Sequence, residues 1–135
     1  MICLDTNIVI AAINLRPAEV RVRLNDDLAA GVQIGIPAIV LFEMYYGARK
    51  SDRRAKSEAA LRAFLGLAVT PLPFEIEDAR HAGDIRAHLE SHGSPIGYYD
   101  YLIAAQARSR GATLVTSNRR EFERVPGLIV TDWSS

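Results

Sequence analysis

Short unbroken apolar runs alternate along this chain with longer stretches in which apolar side chains return every three or four residues, so the pattern predicts strands alternating with helices. Ile2 to Leu4 reads as a first strand, and Asp5-Thr6-Asn7 as a polar turn able to cap a helix over Ile8 to Ile13. Pro17 opens a second helix with Val20, Leu24 and Leu28 at i+4 spacing, and Gly31 closes it. Val32 to Ile36 is a second strand. Pro37 then begins a helix in which Ile39, Glu43, Tyr46 and Gly47 share a face. Ser51 or Asp52 is placed to cap the next helix, with Ala55, Ala59 and Phe64 along one side. Leu67 to Leu72 reads as a strand that Pro71 confines to a sheet edge. Glu75, Glu77 and Asp78 load the first turn of a helix that Gly93 stops. A helix from about Tyr99 to Arg110 ends at Gly111 and sets Asp100, Ile103, Ala104 and Ala107 on one face. Thr113 to Thr116 is a strand, Asn118 to Phe122 a short helix and Leu128 to Thr131 a last strand.

Such alternation predicts an α/β fold: one domain over residues 1–135, with a mostly parallel sheet of four to five strands and helices on both faces. The chain shows no repeat, low-complexity tract or linker. In open parallel sheets, sites form beyond the carboxyl ends of the strands. Asp5 and the Thr116-Ser117-Asn118 stretch each follow a predicted strand directly, so both should reach that edge.

Three acids stand where a bland fold would not put them. Asp5 follows a strand, while Glu43 and Asp100 lie on apolar helical faces. Carboxylates gathered beside a core raise one another's pKa unless a cation neutralises them, and hard oxygen ligands suit Mg²⁺ or Mn²⁺. With few protein oxygens per ion, water and phosphate oxygens complete the shell, which suits phosphodiester hydrolysis.

Composition narrows the setting. The 135 residues carry 16 basic and 16 acidic side chains, so the chain is not globally basic and any nucleic-acid surface has to be local. Arg49, Lys50, Arg53, Arg54 and Lys56 surround the lone Asp52 and form such a candidate patch. Cys3 is the only cysteine, which excludes an internal disulfide and suits a reducing compartment. No apolar run approaches the ~18 residues of a membrane span, and no basic leader precedes Ile2. The expectation is a cytoplasmic protein without a membrane partner.

Each residue also has a purely structural reading. Asp5 and Thr6 could simply cap a helix, Glu43 could pair with a buried arginine, and Asp100 could favour a helix N-terminus. Asn118 with Glu121 resembles a capping box. The basic run could be a solvated helix face, and Tyr45, Tyr46, Tyr98 and Tyr99 could be core or subunit contacts in place of base-stacking platforms. His81, His88 and His92 share one helix, but without a third ligand they read as surface histidines.

The ordered motifs Leu4-Asp5-Thr6-Asn7, Pro95-Ile96-Gly97 leading to Asp100, Leu102-Ile103-Ala104-Ala105, Leu114-Val115-Thr116, Glu121-Phe122 and Val125-Pro126-Gly127-Leu128 together resemble VapC-type PIN-domain toxins. That resemblance implies a Mg²⁺- or Mn²⁺-dependent ribonuclease acting on structured RNA, typically transfer RNA, as the toxin of a toxin–antitoxin pair. It implies catalytic Asp5, Glu43 and Asp100, with Asp5 and Asp100 as metal ligands and Thr6, Asn7, Thr116, Asn118 and Glu121 as additional site residues. It also implies a small antitoxin partner and a homodimer. Many PIN domains carry a further Asp after the fourth strand, where this chain has Asn118; Glu121 follows one turn later. Two other functions compete: a PIN-fold module that binds RNA or protein without cutting, and an aspartyl-nucleophile phosphotransferase. The second fits poorly, because Asn7 stands where its second Asp belongs.

Overall fold

The computed structural model describes residues 1–134. Its strands are β1 (Ile2–Leu4), β2 (Ile34–Pro37), β3 (Thr70–Leu72), β4 (Thr113–Val115) and β5 (Ile129–Thr131), and its helices are α1 (Thr6–Asn14), α2 (Ala18–Ala29), α3 (Ala38–Lys50), α4 (Arg54–Leu65), α5 (Ile76–Ser91), α6 (Tyr98–Ser109) and α7 (Arg119–Phe122). The strands form one sheet in the order β3-β2-β1-β4-β5. All four neighbouring pairs are parallel, and Ile2 stands opposite Ile34 on one side and Thr113 on the other. Central β1 is an unbroken apolar run because both its faces are covered: Cys3 and Leu4 are fully buried. Burial also pushes the Cys3 thiol up to about 11, away from reactivity.

The chain moves outward from β1 to β2 and β3, then returns past both to β4. Right-handed crossovers accordingly place α1 to α4 on one face and α5 to α7 on the other. The packing of α1 against α2, α3 and α4, and of α5 against α6, agrees with this division. Ile8, Leu24 and Phe64 seal the first layer, and Ile85, Leu89 and Ile103 the second. The reversal makes the gap between β1 and β4 the topological switch point, where a site is expected.

Two strands are shorter than the apolar pattern suggests. The Val32 amide donates to Asp27 O and finishes the turn after α2, so β2 begins only at Ile34. The Leu67 amide donates to Phe64 O in the same way, reducing the third strand to Thr70–Leu72. That strand does lie at the sheet edge, where the N–H that Pro71 lacks costs no ladder bond. Neither Ser51 nor Asp52 occupies the cap position of α4. Arg53 does, and its amide donates to Ser51 Oγ at 3.1 Å.

Asp78 carries more than a favourable first-turn charge. It is buried, its Oδ2 accepts the Glu75 amide at 2.9 Å, and its Oδ1 accepts from the Ser109 hydroxyl and, at 2.9 Å, from Arg110 Nη1. α5 is thereby bolted to the end of α6. Gln106, fully buried on α6, donates to Leu72 O at 2.9 Å and to Pro73 O at 3.2 Å, fixing that helix against the carboxyl end of β3.

Candidate active site

Asp5 leaves β1 at the switch point. Its own amide donates to Val115 O at 2.9 Å, so the β1–β4 ladder continues into the site. The carboxylate is buried; its Oδ1 accepts the Thr6 amide at 2.8 Å and its Oδ2 the Thr116 hydroxyl at 2.7 Å. The helix-capping reading of Asp5 is thus correct, but it accounts for one oxygen only. Thr116 is fully buried where β4 ends, and its Oγ1 accepts the Asn118 amide at 2.9 Å while its hydroxyl points at Asp5. Thr6 repeats this on the other side, donating its hydroxyl to Glu43 Oε1 at 2.8 Å. Two threonines therefore tie acids from different elements into one arrangement.

Glu43 is half-buried on α3 and has no arginine partner among the described residues, which removes the buried ion-pair reading. Asp100 lies in the first turn of α6. A β-carbon at Gly97 would lie 3.1 Å from Asp100 Oδ2, so the glycine leaves room for the carboxylate to fold against the turn. Glu121 completes the group: its Oε2 accepts from Asn118 Nδ2 at 2.9 Å. This pair is not a capping box, because the Asn118 side chain makes no cap bond and its amide is taken by Thr116.

The acids act on one another electrostatically. Desolvation pushes the Asp100 carboxyl up to about 6, and Asp5, Glu121 and Glu43 add to the rise. Burial also raises Asp5, with Glu43 contributing, against the opposing hydrogen bonds from Thr116 and Thr6. Among the described residues, none of the four acids is in an ion pair. The donor set is all oxygen, as a hard cation requires. No three His, Cys, Asp or Glu among the described residues close around one position.

Other residues singled out by the sequence lie apart. Asn7 is exposed on α1 without a side-chain hydrogen bond among the described residues. The basic run divides among several surroundings: Lys50 donates to Tyr46 Oη at 3.0 Å, Arg54 pairs with Glu58 at 2.7 Å, and Arg53 and Lys56 line a cleft together with Glu43. Tyr45, Tyr46, Tyr98 and Tyr99 are at least half exposed, so the core reading fails for all four. His88 and His92 stack at 4.1 Å on the surface, whereas His81 is half-buried and its Nδ1 accepts from Arg108 Nε at 2.9 Å, so the surface reading holds for two of the three. Sequence reasoning passed over Gly97 as a space-making residue, and Gln106 and Arg110 as supports. The available signals were a glycine three residues before an acid and polar residues within an apolar helix.

The PIN domain family model matches residues 2–128. The chain is similar to the tRNA(fMet)-specific endonuclease VapC of Shigella flexneri, with 44% identity over 97% of this chain and 96% of that one. It is also similar to Ribonuclease VapC2 of Haemophilus influenzae strain Rd, at 43% identity over 96% of each. Among solved structures, VapBC2 from Rickettsia felis bound to a DNA fragment from their promoter superposes with a TM-score of 0.90 at 38% identity, over 98% of this chain and 99% of that one.

Proposed function

The chain belongs to the PIN-domain family, among the VapC ribonucleases, and from that membership and its uncompensated carboxylates we propose a divalent-metal-dependent endoribonuclease toxin that cuts transfer RNA. The observation that carries the metal-dependent part is geometric: Asp5, Glu43 and Glu121 are held by neutral donors, Asp100 stands near enough to feel all three, and none of the four has an ion-pair partner among the described residues. Asp5 and Asp100 are the ligands in this reading. A bound Mg²⁺ or Mn²⁺ would supply an activated water and neutralise charge on the scissile phosphate. Thr116 and Thr6 fix the Asp5 carboxylate by donating to both its oxygens. Thr6 also holds Glu43 by Oε1, leaving Oε2 open to take a proton from an attacking water. Asn118 donates its side-chain amide to Glu121 and so orients a carboxylate from one turn later.

The partner in this reading is a small antitoxin, in line with the VapBC2 assembly named above, which satisfies the acids with a basic side chain. A homodimer is the expected assembly. No helix among the described residues is long and apolar enough to cross a membrane. The test is incubation of the purified protein with transfer RNA in Mg²⁺ and in EDTA, with mapping of new ends. New ends in Mg²⁺ alone are expected. Cleavage that survives EDTA rejects the metal mechanism, and intact RNA under both conditions favours a binding module.

A further inference from the structure

A cleft of about 420 Å³ runs between α1, α3 and α4, and of the four site acids Glu43 alone stands on its wall. Ile10 and Met44 give it an apolar side, and Arg53 and Lys56 a basic one. Neither Arg53 nor Lys56 is in an ion pair among the described residues, in contrast to neighbouring Arg54. Arg49, from the same basic run, lines a different groove that none of the four site acids borders.

Gly47 points to the same cleft. It lies inside α3, four residues after Glu43 on the same face, where glycine costs roughly 0.5–1 kcal/mol relative to alanine. No packing contact demands it, since a β-carbon there would meet nothing within 4 Å. What the missing side chain leaves free is the cleft that Gly47 lines.

We infer that this cleft carries the RNA strand next to the scissile phosphate, with Arg53 and Lys56 holding backbone phosphates and the apolar side of Ile10 and Met44 receiving the face of an unpaired base. Phosphate contacts need fixed positive charge, and an unpaired strand exposes base faces that a duplex hides. The assignment rests on the ribonuclease reading and separates two residues of the basic run, as substrate-positioning groups, from three that are not.

The test measures binding of a mixed-sequence single-stranded RNA oligonucleotide to the Asp100→Asn protein in EDTA across a range of salt concentrations. Each phosphate contact adds roughly 0.7 to the salt slope for single strands, so Arg53→Gln with Lys56→Gln should flatten it by about 1.4. Removal of the same charge by Arg49→Gln with Arg54→Gln should leave the slope within about 0.3 of its starting value. Gly47→Leu should fill the cleft and weaken binding by about tenfold or more without lowering the melting temperature, since leucine favours helix. An unchanged slope in the first pair, or equal flattening in both pairs, overturns the assignment. So does a first pair that loses only the binding of a small protein partner, which would make the cleft a protein-docking surface. Cleavage of transfer RNA by the wild-type protein in Mg²⁺ is scored separately. If it occurs while the slope is unchanged, only the cleft assignment falls; if it never occurs, the ribonuclease reading falls and the slope still reports on the cleft.

Discussion

Asp78 and Asp5 are both buried aspartates beside a helix start, yet their surroundings differ in one respect. Asp78 has a cation: Arg110 and Ser109 bond one oxygen and the Glu75 amide the other. Asp5 has only neutral donors, Thr6 and Thr116, and Asp100, Glu43 and Glu121 stand nearby with no arginine or lysine paired to any of them among the described residues. The first region neutralises itself and joins two helices. The second gathers acids with no cation of its own among the described residues, so each ionised carboxylate there repels the next. A buried acid therefore becomes evidence for a site only when its partners have been counted.

The largest expected effect is on activity. Asp5→Asn and Asp100→Asn should each lower the RNA cleavage rate by about a hundredfold or more, because asparagine keeps the shape and loses the charge that would hold the ion. Asp78→Asn should leave the rate measured below its melting temperature within about threefold, since Asp78 faces Arg110 and not the switch point. Comparable losses in all three variants would erase the distinction between the two regions.

Stability should separate them in the opposite sense. Asp78→Asn strands the Arg110 charge, whose side chain is 19% exposed, and should cost about 3 kcal/mol, at the lower end for a broken buried pair. Thermal or urea unfolding of the variant measures this. Full stability in Asp78→Asn would mean that Arg110 finds water easily and that the pair is not a bolt.

A smaller effect concerns pH. Without metal, folded Asp100 holds its proton up to about pH 6, whereas its ordinary value is 3.8. Between those values the unfolded chain has lost a proton that the folded chain keeps, so unfolding free energy should fall as pH rises through the window. Burial raises Asp5 in the same direction. Urea titrations in EDTA at several pH values should show the decline in wild type and a shallower one in Asp100→Asn.

Much of this was legible in the sequence because local rules and tertiary needs agreed. Ile2 to Leu4 followed by Asp5-Thr6 reads as strand, cap and helix, and that is what forms. Glu43 and Asp100 stood out because an acid on an apolar helical face is costly without a reason. The boundaries of β2 and β3 were not legible, because Val32 and Leu67 are apolar residues whose amides finish helices instead of joining strands. Nor was the Asp78–Arg110 pair, which joins residues far apart in sequence on packed helices. Asn118 with Glu121 satisfied a capping pattern in the sequence, while in the fold the Thr116 hydroxyl oxygen takes the Asn118 amide and leaves the side chain for Glu121.

The central claim is that the carboxylates at the switch point are an uncompensated charge awaiting a divalent cation. Thermal melts of wild type and Asp100→Asn, each in EDTA and in Mg²⁺, test it most directly. In EDTA the variant should melt higher than wild type, because one of several mutually repelling charges is gone. Mg²⁺ at a hundredfold excess over its Kd should stabilise wild type by roughly 2.7 kcal/mol, and the variant should lose most of that gain. A variant that melts lower than wild type in EDTA, beside a wild type indifferent to Mg²⁺, would contradict the claim and leave Asp100 as a charge that merely favours a helix N-terminus.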